Sequence, residues 1–291
     1  MTLPSSIIQN RTLRIEIILL CLICAGSFSV SGQRLAVLDP VSTAQSERMA
    51  DKLDSSLSAA ISLTDRSASK AAFLSVGLEN PFNLSQTESQ LIGRVIGCNV
   101  FLLIRAETLR RSSSARLGYY ESYAAFFLVN ARTGHLIWWR LANAEADTAP
   151  AAEQQALNST DKIAAEISNG WKQWLSKDDS TQVGPSYAEI PAEGSPEAKN
   201  FRPPIPYLRI KPEYTNLAYL YAVMGTVEIG VDLDGKGDVE KTEIIRWAGF
   251  GLDESVIDAV RKMNWRPAQR NGKPLPAHFL LRYNFKKIDK E

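Results

Sequence analysis

The segment "VEIGVDLDGKGDVEKTEII", Val227–Ile245, constrains the fold more than any other part of the chain. Val227, Ile229, Val231 and Leu233 fall on one side of a period-two pattern, with Glu228, Gly230 and Asp232 on the other. That is the signature of a half-buried strand. Asp-Gly and Gly-Asp then supply the left-handed backbone a tight turn requires, and the β-branched run after them reads as a returning strand. A calcium loop competes with this reading, because Asp232, Asp234, Gly237 and Glu243 stand at its first, third, sixth and twelfth positions. Such a loop needs a helix on either side and a ligand oxygen at its fifth position. Here the flanks are strands and the fifth residue is Lys236, so a hairpin is expected. No metal or cofactor is expected.

Beyond the hairpin, "GLDESVIDAVRKMNW" reads as a helix with Asp253 near its N-cap and Val256, Ile257, Val260 and Met263 on its apolar face. "RPAQRNGKPLP" reads as a loop and "AHFLLRYNF", Ala277–Phe285, as a closing strand. Phe279, Leu281, Tyr283 and Phe285 share one face of that strand, and His278, Leu280, Arg282 and Asn284 the other.

With "KPEYTNLAYLYAVMGTV" upstream, these pieces resemble the TonB C-terminal domain family. The family pattern falls on Pro212, Tyr214, Ala218, Ala222, Gly225, Val227, Asp232, Asp234, Gly235, Leu252, Asp253, Trp265, Pro267, Ala268, Asn271, Gly272, Lys273, Pro274 and Phe285. The resemblance covers residues 206–291. It implies a small α+β domain with an antiparallel sheet and one main helix. It also implies a partner: an extended peptide of an outer-membrane receptor that adds as a strand to the last strand of the sheet. The partner-binding residues so implied are Lys211, Pro212, Tyr214, Thr215, Phe279, Leu280, Leu281, Arg282, Tyr283, Asn284 and Phe285. For the aromatic face of the strand core packing is the favoured reading, and the binding falls to the unpaired backbone edge. Thr215 departs from the family's Pro, and Lys211 from the Gln of its best-known members.

The preceding half reads as strand, helix, loop, helix, an antiparallel group and a closing helix. "QRLAVLDP" is a short strand, and Met49, Leu53, Leu57 and Ile61 recur at helical spacing. Residues between there and Pro81 read as loop-rich. Ser85 and Glu88 form a capping box ahead of a helix carrying Leu91, Val95 and Ile96 and ending on Gly97 and Asn99. "VFLLIRAETL", Val100–Leu109, is a buried strand, two more flank the turn "NARTG", and a helix runs from about Leu157 to Leu175. Adjacent Trp138 and Trp139 fall on opposite faces, one core and one surface. This α/β order over residues 33–175 resembles the domain shared by curli-secretion lipoproteins of the CsgG type, FlgO-like proteins and the N-terminal domain of TolB. The residues that carry the likeness are "RLAVLD", "LTDR", "IGCNVFLLIRAE" and "FFLVNARTGHLIWW". Residues 176–205, polar and rich in proline, read as an interdomain linker.

Arg11 and Arg14 precede the apolar run Ile17–Val30, and "VSG" offers small residues for cleavage, so residues 1–32 read as a signal peptide, with an uncleaved anchor as the alternative. Two of the three cysteines lie there, which leaves Cys98 as a lone buried thiol in the exported chain. The sequons at Asn83 and Asn158 carry no reading of their own. A net charge of +1 and the absence of a basic run argue against nucleic acid. Two histidines far apart, no phosphate loop and no nucleophile elbow leave no catalytic residues to name.

Three functions follow as expectations. The first is a periplasmic protein that captures a strand of an envelope or outer-membrane partner. The second is an anchored transducer contacting an inner-membrane motor. The third is a secretion or assembly accessory, a homo-oligomer docked through its C-terminal module.

Overall fold

The structure is a computed structural model and describes residues 32–178 and 187–286. Residues 1–31 of the stretch read as a signal peptide lie outside them, as do residues 179–186 of the polar stretch.

Strands β1 (Arg34–Leu38), β2 (Ser62–Leu63), β3 (Val100–Ser113), β4 (Arg116–Asn130) and β5 (Leu136–Ala146) form one sheet in the order β2-β1-β3-β4-β5. β1 runs parallel to β2 and β3, and the β3–β4–β5 meander is antiparallel. The central strands read as continuous apolar runs because both faces of the sheet are covered. Val100, Leu102 and Ile104 of β3 face α1 (Ala44–Leu57), α4 (Ala149–Asn158) and α5 (Thr160–Asp178), which contribute Met49, Leu53, Ala156 and Ile163. Phe101 and Leu103 face the other way, toward Phe73 of α2 (Arg66–Ser75) and Ile92 of α3 (Gln86–Ile96).

The C-terminal segment completes that second layer. It contains α6 (Asn216–Leu220), β9 (Gly225–Leu233), β10 (Val239–Arg246), α7 (Leu252–Lys262) and β14 (Ala277–Phe285). Its sheet has the order β10-β9-β14-β6, where β6 is Ala188–Glu189. Val227, Ile229, Val231 and Leu233 of β9 are buried, as their alternation predicts. They belong to the same core as Phe101 and Phe127 of the first sheet. Trp247 stacks on Phe127 with ring centroids 5.1 Å apart, and Phe250 packs on Phe127, Trp139 and Tyr221.

Polar groups fix this contact as firmly. Glu121, nearly sealed, accepts from Tyr221 Oη at 2.7 Å, Arg111 Nε at 2.8 Å and Asn143 Nδ2 at 3.0 Å. Burial works to raise its carboxyl, but those three donors outweigh it and hold the group below the ordinary range. Asn83, one of the sequon asparagines, is buried. Its amide donates to Thr226 O and Trp247 O and accepts from Thr226 N.

Several local expectations are corrected. The loop-rich stretch before Pro81 holds helix α2, capped by Asp65, whose side chain accepts from Ala68 N. On α3 the packed residues are Ser89, Ile92 and Gly93, while Leu91 and Val95 are exposed. Gly93 is what allows the approach: a Cβ there would lie 2.3 Å from that of Ala131. Ile61 is buried beyond the end of α1 rather than on it. "RPAQRNGKPLP" is not a bare loop. It forms β11 (Trp265–Arg266), β12 (Ala268–Arg270) and β13 (Lys273–Leu275), the last two joined by an Asn271-Gly272 turn with both residues at positive φ. Trp138 and Trp139 do diverge, yet both are half-buried: Trp138 stacks on Trp174 of α5 and Trp139 packs on Phe250.

Candidate partner-binding edge

The acidic hairpin closes as a turn. Asp234 Oδ1 accepts from the backbone N–H groups of Lys236, Gly237 and Asp238 at 2.7, 2.8 and 2.9 Å. Positive φ falls on Gly237 alone of the two turn glycines. A Cβ on Gly237 would meet Trp265 O at 2.1 Å, so the turn is pressed against β11.

β14 pairs along its whole length with β9, from Ala277 opposite Leu233 to Phe285 opposite Gly225. On its other side β6 runs parallel to it, but only at Ala277 and His278. Ala188 N–H donates to Pro276 O at 3.0 Å, so backbone groups at even positions point away from β9. Leu280, Arg282 and Asn284 therefore turn their N–H and C=O groups outward, and no described strand uses them. Pro191, two residues after β6, ends its run along the edge.

Beside this open stretch lies an apolar groove. Its first part, about 470 Å³, is lined by Ile205, Pro206, Ile210, Phe279, Leu281 and Tyr283 among others. Its second, about 500 Å³, is lined by Pro212, Tyr214, Tyr283 and Phe285, with Lys211, Glu213 and Lys286. Burial pushes the phenols of Tyr214 and Tyr283 upward, and the Arg209 guanidinium pulls Tyr283 back part of the way.

The residues implied by resemblance divide by role in this geometry. Phe279 and Phe285 are buried, Leu281 and Tyr283 are half-buried, and Leu280, Arg282 and Asn284 are exposed. Arg282 is held by Glu228, its Nε 2.7 Å from Oε1, and Glu228 also lies near Arg246, which pairs with Glu88 of α3. Lys211 is exposed on the groove rim and Pro212 is buried against it. Tyr214 stacks on Phe285 and donates to Val223 O at 2.7 Å. Thr215 does not join the groove. It caps α6 by accepting from Ala218 N and donates to Phe250 O at 2.7 Å. The first residues of the edge carry a pair that the sequence pattern leaves apart, His278 Nδ1 with Asp232 Oδ1 at 2.6 Å. Their cross-strand register is the signal that joins them.

Strands β9 and β10, helix α7 and the long closing strand β14, whose outer edge is open over its last residues, make a small α+β unit. Residues 210–286 match the family model described as Gram-negative bacterial TonB protein C-terminal. Among solved structures, the chain is similar to the TonB C-terminal domain of Pseudomonas aeruginosa at 19% identity. That match covers 32% of this chain and 91% of that one, with a TM-score of 0.26. It is also similar to a lipoprotein from Neisseria meningitidis at 15% identity, covering 47% and 99%, TM-score 0.33. A hypothetical protein from Chlamydia trachomatis matches at 11% identity, covering 48% and 97%, TM-score 0.33. No curated protein matches the chain. Among the described residues, no helix is long and apolar enough to cross a membrane.

Proposed function

We propose that this is a bacterial envelope protein that captures an extended strand of an envelope or outer-membrane partner along β14. Residues 33–175 serve as the body, and residues 206–291 as the binding module held on it. One observation carries the reading: the outward backbone groups of Leu280, Arg282 and Asn284 stand unused beside an apolar groove that would take alternate side chains of an added strand. The partner's main chain supplies affinity at these positions, and its side chains supply selectivity in the groove. The similarity of residues 210–286 to TonB C-terminal domains supports both the location and the class of partner.

Replacing Leu280 or Arg282 by proline removes an outward N–H without touching the backbone bonds to β9, the second with the added loss of the Arg282–Glu228 ion pair. Each variant is expected to keep its circular dichroism spectrum and to lose capture of outer-membrane proteins from solubilised native envelopes. A folded Leu280→Pro protein that still captures them would sink the edge-pairing reading. We further propose that the chain works in the periplasm after removal of its first 32 residues. The intact mass of protein from native envelopes tests this, and a full-length mass in the inner-membrane fraction would favour the anchored transducer.

A further inference from the structure

The net charge of +1 conceals a strong segregation. Residues 198–212 hold four lysines and arginines and residues 259–286 hold seven, with no Asp or Glu in either segment. The fold brings the two segments together. β7 (Phe201–Arg202) pairs with β12, β8 (Ile205–Pro206) pairs with β11, and Tyr207 N–H donates to Asn264 O at 2.9 Å.

Alternation along the 204–208 stretch sorts its side chains. Pro204 and Pro206 turn inward, with Trp265 opposite Pro206 in the core. Ile205 turns outward opposite Arg266, and beyond the strand Tyr207 and Leu208 stand clear of the surface, each 74% exposed. Arg202 and Arg209 flank them and are exposed, and neither these nor Arg266 and Lys211 form an ion pair with any described residue. Two adjacent large apolar side chains projecting from an unneutralised basic surface gain nothing from the fold itself. They match the requirements of an interfacial anchor, whose apolar groups enter the headgroup layer while cations meet lipid phosphates.

We propose that this face docks on an anionic phospholipid bilayer, with Tyr207 and Leu208 entering the interface and Arg202, Arg209, Lys211 and Arg266 meeting lipid phosphates. Tyr207 and Leu208 project from the surface and line neither part of the groove, which favours a plane over a peptide that would need a concavity to seat its side chains. Ile205, Arg209 and Lys211 also line the groove beside β14, but Tyr207 and Leu208 do not, so the anchor itself does not depend on strand capture.

The test is flotation of the full chain with vesicles of phosphatidylcholine alone and of phosphatidylcholine with phosphatidylglycerol, at low and high salt. Binding is expected only to the phosphatidylglycerol vesicles and is expected to fall as salt rises. Two double variants, Tyr207→Ser/Leu208→Ser and Arg202→Glu/Arg209→Glu, alter exposed positions and are expected to keep the wild-type melting temperature. The charge-reversal pair should weaken binding by at least roughly tenfold, the scale set by removing two cations from an anionic surface. Unchanged binding in both variants would place membrane affinity elsewhere in the chain and overturn the proposal. Equal binding to both vesicle types would overturn it too. Retention on soluble polyglutamate without vesicle binding would make this a surface for acidic proteins instead.

Discussion

Asp253 shows how far one side chain can depart from its sequence role. Read as a cap for its own helix, it reaches back instead. Its two carboxylate oxygens accept from Ala248 N and Gly249 N at 2.8 and 2.9 Å, while Gly251 in the left-handed region occupies the N-cap of α7. Burial pushes the carboxyl up to about 6 from 3.8, further than those two donors draw it down. Unfolded protein thus releases this proton near pH 4 and folded protein near pH 6, so the group opposes folding increasingly as pH rises through that window. Relative to Asp253→Asn, the wild type is expected to gain stability on acidification from pH 7 to pH 4, by at most about 3 kcal/mol. Urea midpoints of the two proteins across that range would show it, and a constant difference would contradict it. Gly237 makes a steric case at the same scale. Its φ of +98° and the Trp265 carbonyl 2.1 Å from a Cβ lead us to expect that Gly237→Ala costs about 2 kcal/mol or more in urea unfolding. The need for a turn glycine was legible in "DGKGD"; which glycine bears the strain depends on β11, distant in sequence.

At the level of elements, period-two alternation was the reliable signal. β9 and β14 lie where their patterns put them, because one face of each meets the core and a slip of one residue would invert every side chain. Helices were harder to read. On α3 the apolar residues Leu91 and Val95 are exposed, since the helix seats itself through Gly93 against Ala131 and hydrophobicity is a poor guide where backbone approach decides packing. Gly93→Ala should therefore destabilise the protein by about 1–3 kcal/mol despite alanine's better helix propensity; a thermal melt at or above wild type would refute the account. α2 is hidden in the sequence because its face against the core is only Ser69 and Phe73, too sparse for a periodic signal. The β12–β13 hairpin does carry a local signal, Asn-Gly, within a stretch whose prolines read as loop. Gly272 has φ of +76° with no atom within 4 Å of where a Cβ would sit, so Gly272→Val is expected to cost about 1–2 kcal/mol from backbone strain alone. Urea midpoints again provide the measure.

Over the whole molecule, neither half of the sequence announces how much it needs the other. The apolar runs of β3 and β4 do say that both faces of their sheet are covered, but not by what. The answer is the C-terminal module, through Trp247, Phe250 and Tyr221 on Phe127, Trp139 and Tyr123. Trp247→Ala is expected to cost about 3–5 kcal/mol, and a double-mutant cycle with Phe127→Ala to show coupling of about 0.5–1.5 kcal/mol. Urea unfolding followed by tryptophan fluorescence and by circular dichroism should give one coincident transition, whereas two separated transitions would mean that the shared core does not couple the halves. The basic face escapes a linear reading for a similar reason: no run of cations exists, and pairing of β7 with β12 and of β8 with β11 assembles it from two segments about sixty residues apart.

The stacking of Trp247 on Phe127 also settles a question of reach. Residues 176–205, read from the sequence as a linker, would span about 100 Å if drawn straight, yet their described part packs on the C-terminal strands, β6 on β14 and β7 on β12. With the aromatic faces seated, that contour adds no distance at all. On the proposed reading, a strand captured on β14 would join a sheet whose inner face shares one core with the five-stranded sheet. A tug on it would pass between them through packed side chains and not along a tether.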